Sequence, residues 1–128
     1  MSDYSFNKSK RLLTANDYNR VFKGTEAKAS HRHLLLLARI NNRSNHRLGL
    51  VIAKKNVRLA VQRNRVKRIS REFFRTLGQS EVNLDVVLLS RRGLGELDST
   101  QLSSILRQQW QKLVSSAFKS QTMATQDI

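Results

Sequence analysis

Residues 47–75, RLGLVIAKKNVRLAVQRNRVKRISREFFR, decide how this chain is read. The opening RLGLVIA over 47–53 is apolar and partly β-branched, as suits a strand. The period then changes. At about 100° per residue, Leu59, Val66, Ile69, Phe73 and Leu77 fall on one stripe, the pattern of a helix docked on a core. Asn64, Arg68, Arg71 and Arg75 lie almost opposite, with Lys67 beside them and Arg63 and Arg65 on the flanks. From Lys54 to Arg75 there are nine Lys and Arg against one acid, Glu72. A face exposed only to water ordinarily interleaves Glu with Lys at i,i+4, because like charges at that spacing cost roughly 0.2–0.5 kcal/mol per pair. This face does not. A polyanionic partner accounts for it, and the guanidinium fork, which grips two oxygens at once, points to phosphate.

A strand rather than a helix precedes the basic segment, which argues against a helix-turn-helix reader of DNA. Apart from Asn64, the ridge has few polar side chains suited to base edges, so phosphate and shape recognition of folded RNA fits better. Upstream, HLLLLARI over 33–40 reads as a strand covered on both faces. The short polar stretch over 41–46 predicts that this strand and 47–53 form an antiparallel hairpin. Downstream, NLDVVLLS over 83–90 is a third strand, a parallel neighbour of 47–53, and closes at Arg91-Arg92-Gly93. Thr14 as N-cap, Asp17 three residues on, the Leu13–Tyr18 staple and Gly24 as stop predict a short helix over 14–23. A last helix over 98–118 starts at Asp98 with Gln101 as its capping partner. It carries Leu102, Ile105, Leu106, Trp110, Leu113, Val114 and Ala117 on one stripe, with Trp110 as a core anchor. The expected fold is α+β, an α/β sandwich with a small mixed sheet in the order α-β-β-α-β-α. It forms a single domain over 11–118, with a flexible arm over 1–10 and a disordered tail over 119–128.

The chain has 128 residues, with 24 Lys plus Arg against 9 Asp plus Glu, a formal charge of +15. Hydrophobic residues at 39% suffice for one core, and the charge opposes compaction unless a polyanion relieves it. There is no cysteine, which excludes a disulfide framework, a thiolate zinc site and a cysteine nucleophile. The longest apolar run, residues 34–38, is far short of the roughly 20 residues that span a bilayer. The opening MSDYSFNKSKR lacks the apolar segment of a secretory signal, so a soluble, cytoplasmic protein is expected. No helix pairs a broad exposed apolar face with its charge, which disfavours a membrane-surface role.

Catalysis by the protein itself finds no support. A two-metal phosphodiester site needs converging carboxylates, and the acids here are scattered; Asp17, Glu72 and Asp98 have capping or helix-surface duties. His31 and His33 share one side of an extended segment but lack an evident third ligand, so no metal is assigned to the protein. No histidine has an identifiable acid partner or nucleophile. Tyr18 and Phe22, spaced i,i+4, are ordinarily core contacts, and base stacking is the rarer use of such a pair.

Lys54-Lys55-Asn56 leading into Arg63-Asn64-Arg65-Val66-Lys67-Arg68 resembles the RNR signature of the bacterial ribonuclease P protein family. Arg11-Leu12-Leu13-Thr14 and the stretch from Tyr18 to Phe22 resemble that family's first helix. Arg47-Leu48-Gly49-Leu50-Val51 resembles its second strand, and Asp85-Val86-Val87-Leu88 with Arg91-Arg92-Gly93 its last strand and turn. The likeness runs from about Arg11 to Phe118. It implies the protein subunit of a ribozyme that removes the 5′ leader from precursor tRNA, an endoribonuclease whose catalysis belongs to the RNA. Mg2+ would be bound mainly by that RNA, with one protein per RNA and the protein alone inactive. The resemblance also implies a left-handed crossover between the parallel strands, against the usual right-handed rule. It places Lys54, Lys55, Arg63, Asn64, Arg65, Lys67, Arg68 and Arg71 against the catalytic RNA; Arg58 and Arg75 on the same basic segment join them. It places Tyr18 and Phe22, with Arg11 nearby, in a cleft for the leader. Some relatives carry an aromatic on the first strand's cleft face; here that face has Leu35, Leu37 and Arg39. The alternative is a structural RNA-binding protein of ribosomal type with no role in turnover.

Overall fold

Two strands of this chain are apolar on both faces, and the sheet is arranged to bury them. The computed structural model describes residues 8–77 and 82–126, with side chains to residue 119. Its elements are α1 (Ala15–Lys23), β1 (Ala27–Ser30), β2 (Leu34–Ile40), β3 (Arg47–Val51), α2 (Ala60–Arg75), β4 (Leu84–Ser90) and α3 (Ser99–Gln126). They form an α+β fold on one mixed sheet of strand order β1-β2-β4-β3. The two most apolar strands, β2 and β4, take the centre and pair antiparallel from Leu34–Ser90 to Ile40–Leu84. Strand β3 pairs parallel to β4 from Arg47–Asp85 to Val51–Leu89, with α2 as the connection, as the sequence predicts.

The predicted hairpin between 33–40 and 47–53 does not form. Strand β4 lies between them, because a strand apolar on both faces gains most from burial at the sheet's centre. The hairpin partner of β2 is instead β1, a strand that the sequence pattern does not announce. Its sequence AKAS has little strand propensity, and only Ala27 and Ala29 face inward beneath α3. The turn between them is tied by His31 N–H to Leu34 O (2.9 Å) and by His33 N–H to His31 Nδ1 (3.1 Å).

The described residues of both terminal segments take regular structure. Lys8–Lys10 form a 3-10 turn and Arg11 bridges to Leu48 on the outer edge of β3; the rest of the predicted arm lies outside the described residues. Helix α3 continues past Phe118 to Gln126, since residues 119–126 contain no proline or glycine to stop it. Its start is as expected, with Gln101 N–H on Asp98 Oδ1 (2.8 Å) and Asp98 N–H on Gln101 Oε1 (3.0 Å).

One face of the sheet carries the main core beneath α2 and α3, including Leu34, Leu36, Val86, Leu88, Leu106 and Leu113. Trp110 anchors it, edge-on to His46, Phe73 and Phe74. The other face carries α1, which crosses from Arg47 on β3 to Arg39 on β2 and buries its Val21 with Leu12 and Val87. Asp17 makes the capping box with Thr14 and also faces the Arg47 guanidinium at 3.5 Å. Arg47 in turn forms a buried bidentate pair with Asp85, at 2.8 and 2.6 Å. Burial pushes the Asp17 carboxyl up, but the Leu13 and Thr14 N–H groups and Arg47 outweigh it and hold the group below its usual range. The bonds to Asp85 hold the Arg47 guanidinium above its ordinary value.

This end of the sheet can be tested in two ways. Asp85→Ala leaves the Arg47 cation buried with its main partner gone, and is expected to cost about 3–5 kcal/mol in urea unfolding. His46 is buried with Nδ1 accepting the Leu84 N–H (3.0 Å), and burial depresses its pKa from 6.5 to about 4. The unfolded chain therefore takes up this proton at a higher pH than the folded one. The stabilisation is complete above pH 6.5 and is lost as pH falls toward 4, by about 3 kcal/mol. Unfolding free energies measured across that window should show the loss, and His46→Gln, which keeps an acceptor but does not titrate, should remove it.

Candidate nucleic-acid interface

Helix α2 docks through Val66, Ile69, Ser70 and Phe74, with Phe73 half-buried beside Trp110. Leu59, expected on this stripe, is 56% exposed. It is the N-cap, in extended conformation (φ −86°, ψ 135°), so helical phase cannot be extrapolated back to it. Lys54, Lys55 and Arg58 therefore sit in the loop before the helix, all exposed or half-exposed.

The arginines of the RNR triplet point away from the solvent ridge. Arg63 donates through one nitrogen to Val57 O (3.0 Å) and Arg58 O (2.7 Å), bracing the loop that presents Lys54 and Lys55. Arg65 reaches the turn after β4 and donates to Gly95 O (2.7 Å) and Leu97 O (3.1 Å), with its Nε buried and unpaired. Gly95 gives Val57 and Gln62 room against the same turn: a Cβ there would sit 2.8 Å from Val57 Cγ1 and 2.9 Å from Gln62 Oε1. The exposed ridge consists of Asn64, Arg68 and Arg71, with half-exposed Lys67 alongside. Arg75 pairs with Glu72 at 2.7 Å, and that contact holds the Glu72 carboxyl below its usual range. Sequence reasoning missed Arg92, which lines a recess of about 460 Å3 with Lys55, Asn56, Arg58 and Gln62. Only the tertiary approach of the two loops, tied by Asn56 Nδ2 to Ser90 O (2.9 Å), brings it there.

The residues expected at the leader cleft are divided by α1. Tyr18 lies over Gly49, where a Cβ would come within 2.5 Å of its ring, and its hydroxyl accepts the Leu50 N–H at 3.3 Å. It lines a small recess at the β3 edge with Arg11, Lys67 and Arg71. Phe22 is 42% exposed, so the two aromatics have different surroundings. Leu37 packs against the α1 cluster, while Arg39 pairs with Glu26 at 4.0 Å and approaches Arg20 O at 3.5 Å. Leu35 is half-exposed and is continued across the strands by its register partners Ser30 and Leu89, and from Leu89 to Val51. This aliphatic row beyond α1 was only partly foreseen, because Leu89 and Val51 join it through strand order.

The acids on these surfaces stand apart: Glu96 lines the recess beside Arg92, and Glu72 pairs with Arg75. His33 Nδ1 lies 3.0 Å from Arg92 O and His31 Nδ1 accepts from the His33 main chain. Burial, then His33, Lys112 and Arg32, hold the His31 pKa below its usual value, an environment hostile to a bound cation. Among the described residues no three of His, Asp or Glu come together as metal ligands. Among them, too, no helix is long and apolar enough to cross a membrane.

A family model described as Ribonuclease P matches residues 6–114. The chain belongs to the ribonuclease P protein family. It is 46% identical to the ribonuclease P protein component of Pseudomonas aeruginosa (strain PAO1), over 89% of this chain and 84% of that protein. The Pseudomonas putida (strain GB-1) protein is 44% identical over 91% and 87%. The Staphylococcus aureus RNase P protein superposes with a TM-score of 0.73 at 24% identity, covering 81% of this chain and 94% of that one. The Thermotoga maritima RNase P protein gives 0.62 at 28% identity, covering 77% and 94%. The ribonuclease P protein fold thus accounts for the sheet, the three helices and the basic segment.

The two roles of arginine on α2 can be separated by melting. Arg65→Ala removes two charge-assisted bonds to main-chain carbonyls and should destabilise the chain by about 1.5–3 kcal/mol. Arg68→Ala, on the exposed ridge, should stay within about 0.5 kcal/mol of the parent.

Proposed function

We propose that this chain is the RNA-binding protein subunit of ribonuclease P and acts with a catalytic RNA to remove the 5′ leader of precursor tRNA. The observation that carries the reading is the exposed ridge of Asn64, Arg68 and Arg71 with Lys54, Lys55 and Arg58, braced from behind by Arg63 and Arg65. Cations on one face with a single acid, Glu72, among them suit a phosphate surface of definite shape, as folded RNA provides. The catalytic RNA occupies this ridge, with one protein per RNA.

The leader strand lies along the aliphatic row Leu35, Leu89 and Val51 beside the exposed ring of Phe22. Sequence-tolerant apolar cover replaces most of the aromatic stacking, with Arg39 and Lys28 supplying charge at the flank. Arg11 and Tyr18 serve the β3 edge instead. Hydrolysis belongs to the RNA, and Mg2+ is held mainly there. The holoenzyme is assigned to the cytoplasm.

Reconstitution tests this. The chain, ribonuclease P RNA and precursor tRNA mixed at low magnesium should cleave the leader much faster than the RNA alone. An unchanged rate would instead favour a structural RNA-binding protein. In the same system Arg68→Ala should weaken RNA binding and flatten the slope of log K against log salt by about 0.7–0.9 for each phosphate it ceases to neutralise.

A further inference from the structure

The recess between the loop before α2 and the turn after β4 carries a charge pattern that phosphate binding alone does not explain. Lys55, Arg58 and Arg92 line it, and so does Glu96, whose carboxylate would repel a phosphate placed there. An acid among three cations ordinarily pairs with one of them. Here these four side chains make no ion pair or hydrogen bond among the described residues. The recess thus presents cations and an acceptor side by side, each open to a ligand. Leu59, 56% exposed, adds an apolar wall, and Gln62 an amide that is likewise unpaired among the described residues.

Both walls are held by side chains rooted elsewhere in the fold. Asn56 Nδ2 donates to Ser90 O (2.9 Å), and Arg63 reaches Val57 O and Arg58 O at 3.0 and 2.7 Å. On the other wall, Arg65 donates to Gly95 O (2.7 Å), and His33 Nδ1 lies 3.0 Å from Arg92 O. The Arg91 guanidinium donates to Ser30 Oγ (2.8 Å) and His31 O (2.9 Å), fastening this turn to the one between β1 and β2. Gly93 takes the left-handed conformation (φ 85°) that lets the chain reverse there. Glu96 and the three cations stand on two fixed walls, so a ligand between them has only side chains to order.

A ligand that suits both signs must be anionic on one side and offer hydrogen-bond donors on another. A nucleotide of unpaired RNA does so, through its phosphates and its base edge. Among the bases, guanine matches a carboxylate best. Its N1–H and N2–H donors lie side by side and can reach both oxygens at once. Adenine and cytosine offer one amino group next to an acceptor, and uracil one N–H between two carbonyls. We propose that this recess takes one unpaired guanine nucleotide of the RNA that the α2 ridge binds. Glu96 reads its Watson–Crick edge, Leu59 covers its base, and Lys55, Arg58 and Arg92 hold the flanking phosphates. The proposal rests on the RNA-subunit reading of the ridge and adds a base-specific contact to a surface otherwise suited to backbone and shape.

The test uses the full chain reconstituted with ribonuclease P RNA and compares Glu96→Gln with the parent. Glu96 is exposed and its carboxylate unpaired among the described residues, so the variant should melt as the parent does. An acid that merely repels phosphate predicts tighter RNA binding once its charge is removed. Guanine recognition predicts the opposite sign, about tenfold weaker binding although the net charge rises. Glu96→Asp, which keeps the carboxylate, should recover part of the loss. Kethoxal, which attacks the N1–N2 edge of unpaired guanines, should reveal a guanine in ribonuclease P RNA that the parent protects and Glu96→Gln leaves reactive. Parental or tighter binding by Glu96→Gln, or the same guanines protected by both proteins, overturns the proposal. So does a newly reactive guanine confined to precursor tRNA, or a loss of affinity that added magnesium abolishes, the mark of a cation at Glu96. With any of these the ridge reading stands as long as Arg68→Ala still weakens RNA binding. Parental affinity in Arg68→Ala overturns both readings together.

Discussion

The buried pair of Arg47 with Asp85 is the constraint on which the arrangement depends. It joins the first residue of β3 to its register partner on β4, and Asp17 adds α1 to the same guanidinium. An arginine and a carboxylate buried together are stable only when their hydrogen-bonding capacity is nearly filled. Asn41 Nδ2 on Asp85 Oδ1 (2.9 Å) and the α1 capping contacts of Asp17 do that. The pair therefore fixes three things at once: the parallel register of β3, the seat of α1 across the sheet, and the ordered loop before β3. Because α1 is held at that end, the row from Ser30 to Val51 is left uncovered at the other.

A chain of charge +15 must manage its own repulsion, and this one does so by giving its arginines different work. Arg63, Arg65 and Arg91 direct donors to main-chain carbonyls, and so join loops that apolar packing alone would leave apart. Arg68 and Arg71 remain on the surface. The inward set makes the outward set rigid, which lowers the ordering cost when a polyanion binds. Gly95 and Gly49 belong to the same scheme, since each permits a side chain to cross the backbone closely.

Local signals in the sequence proved dependable where the physics is local. The Thr14–Asp17 and Asp98–Gln101 caps, the strands through Leu36 and Val87, the amphiphilic α2 and the anchoring Trp110 all depend on neighbours within a turn or two, or on a simple period. The hairpin expectation failed because short loop length is a weaker constraint than burial of a strand apolar on both faces. Strand β1 escaped notice because two alanines carry almost no pattern, and its existence depends on β2 beside it and α3 above it.

The sequence by itself determined the chemistry of this protein: a basic helix with one apolar edge, a small core, no thiol, scattered acids and the RNR segment of the ribonuclease P protein family. Only the tertiary structure decided which cation does what. Whether an arginine grips a carbonyl or faces a partner depends on what lies within reach of its fork, and for Arg65 that is a turn 30 residues further along the chain. Helical phase orders side chains around an axis, but the position of that axis against β3, β4 and the turn after β4 is a long-range property that no local period encodes.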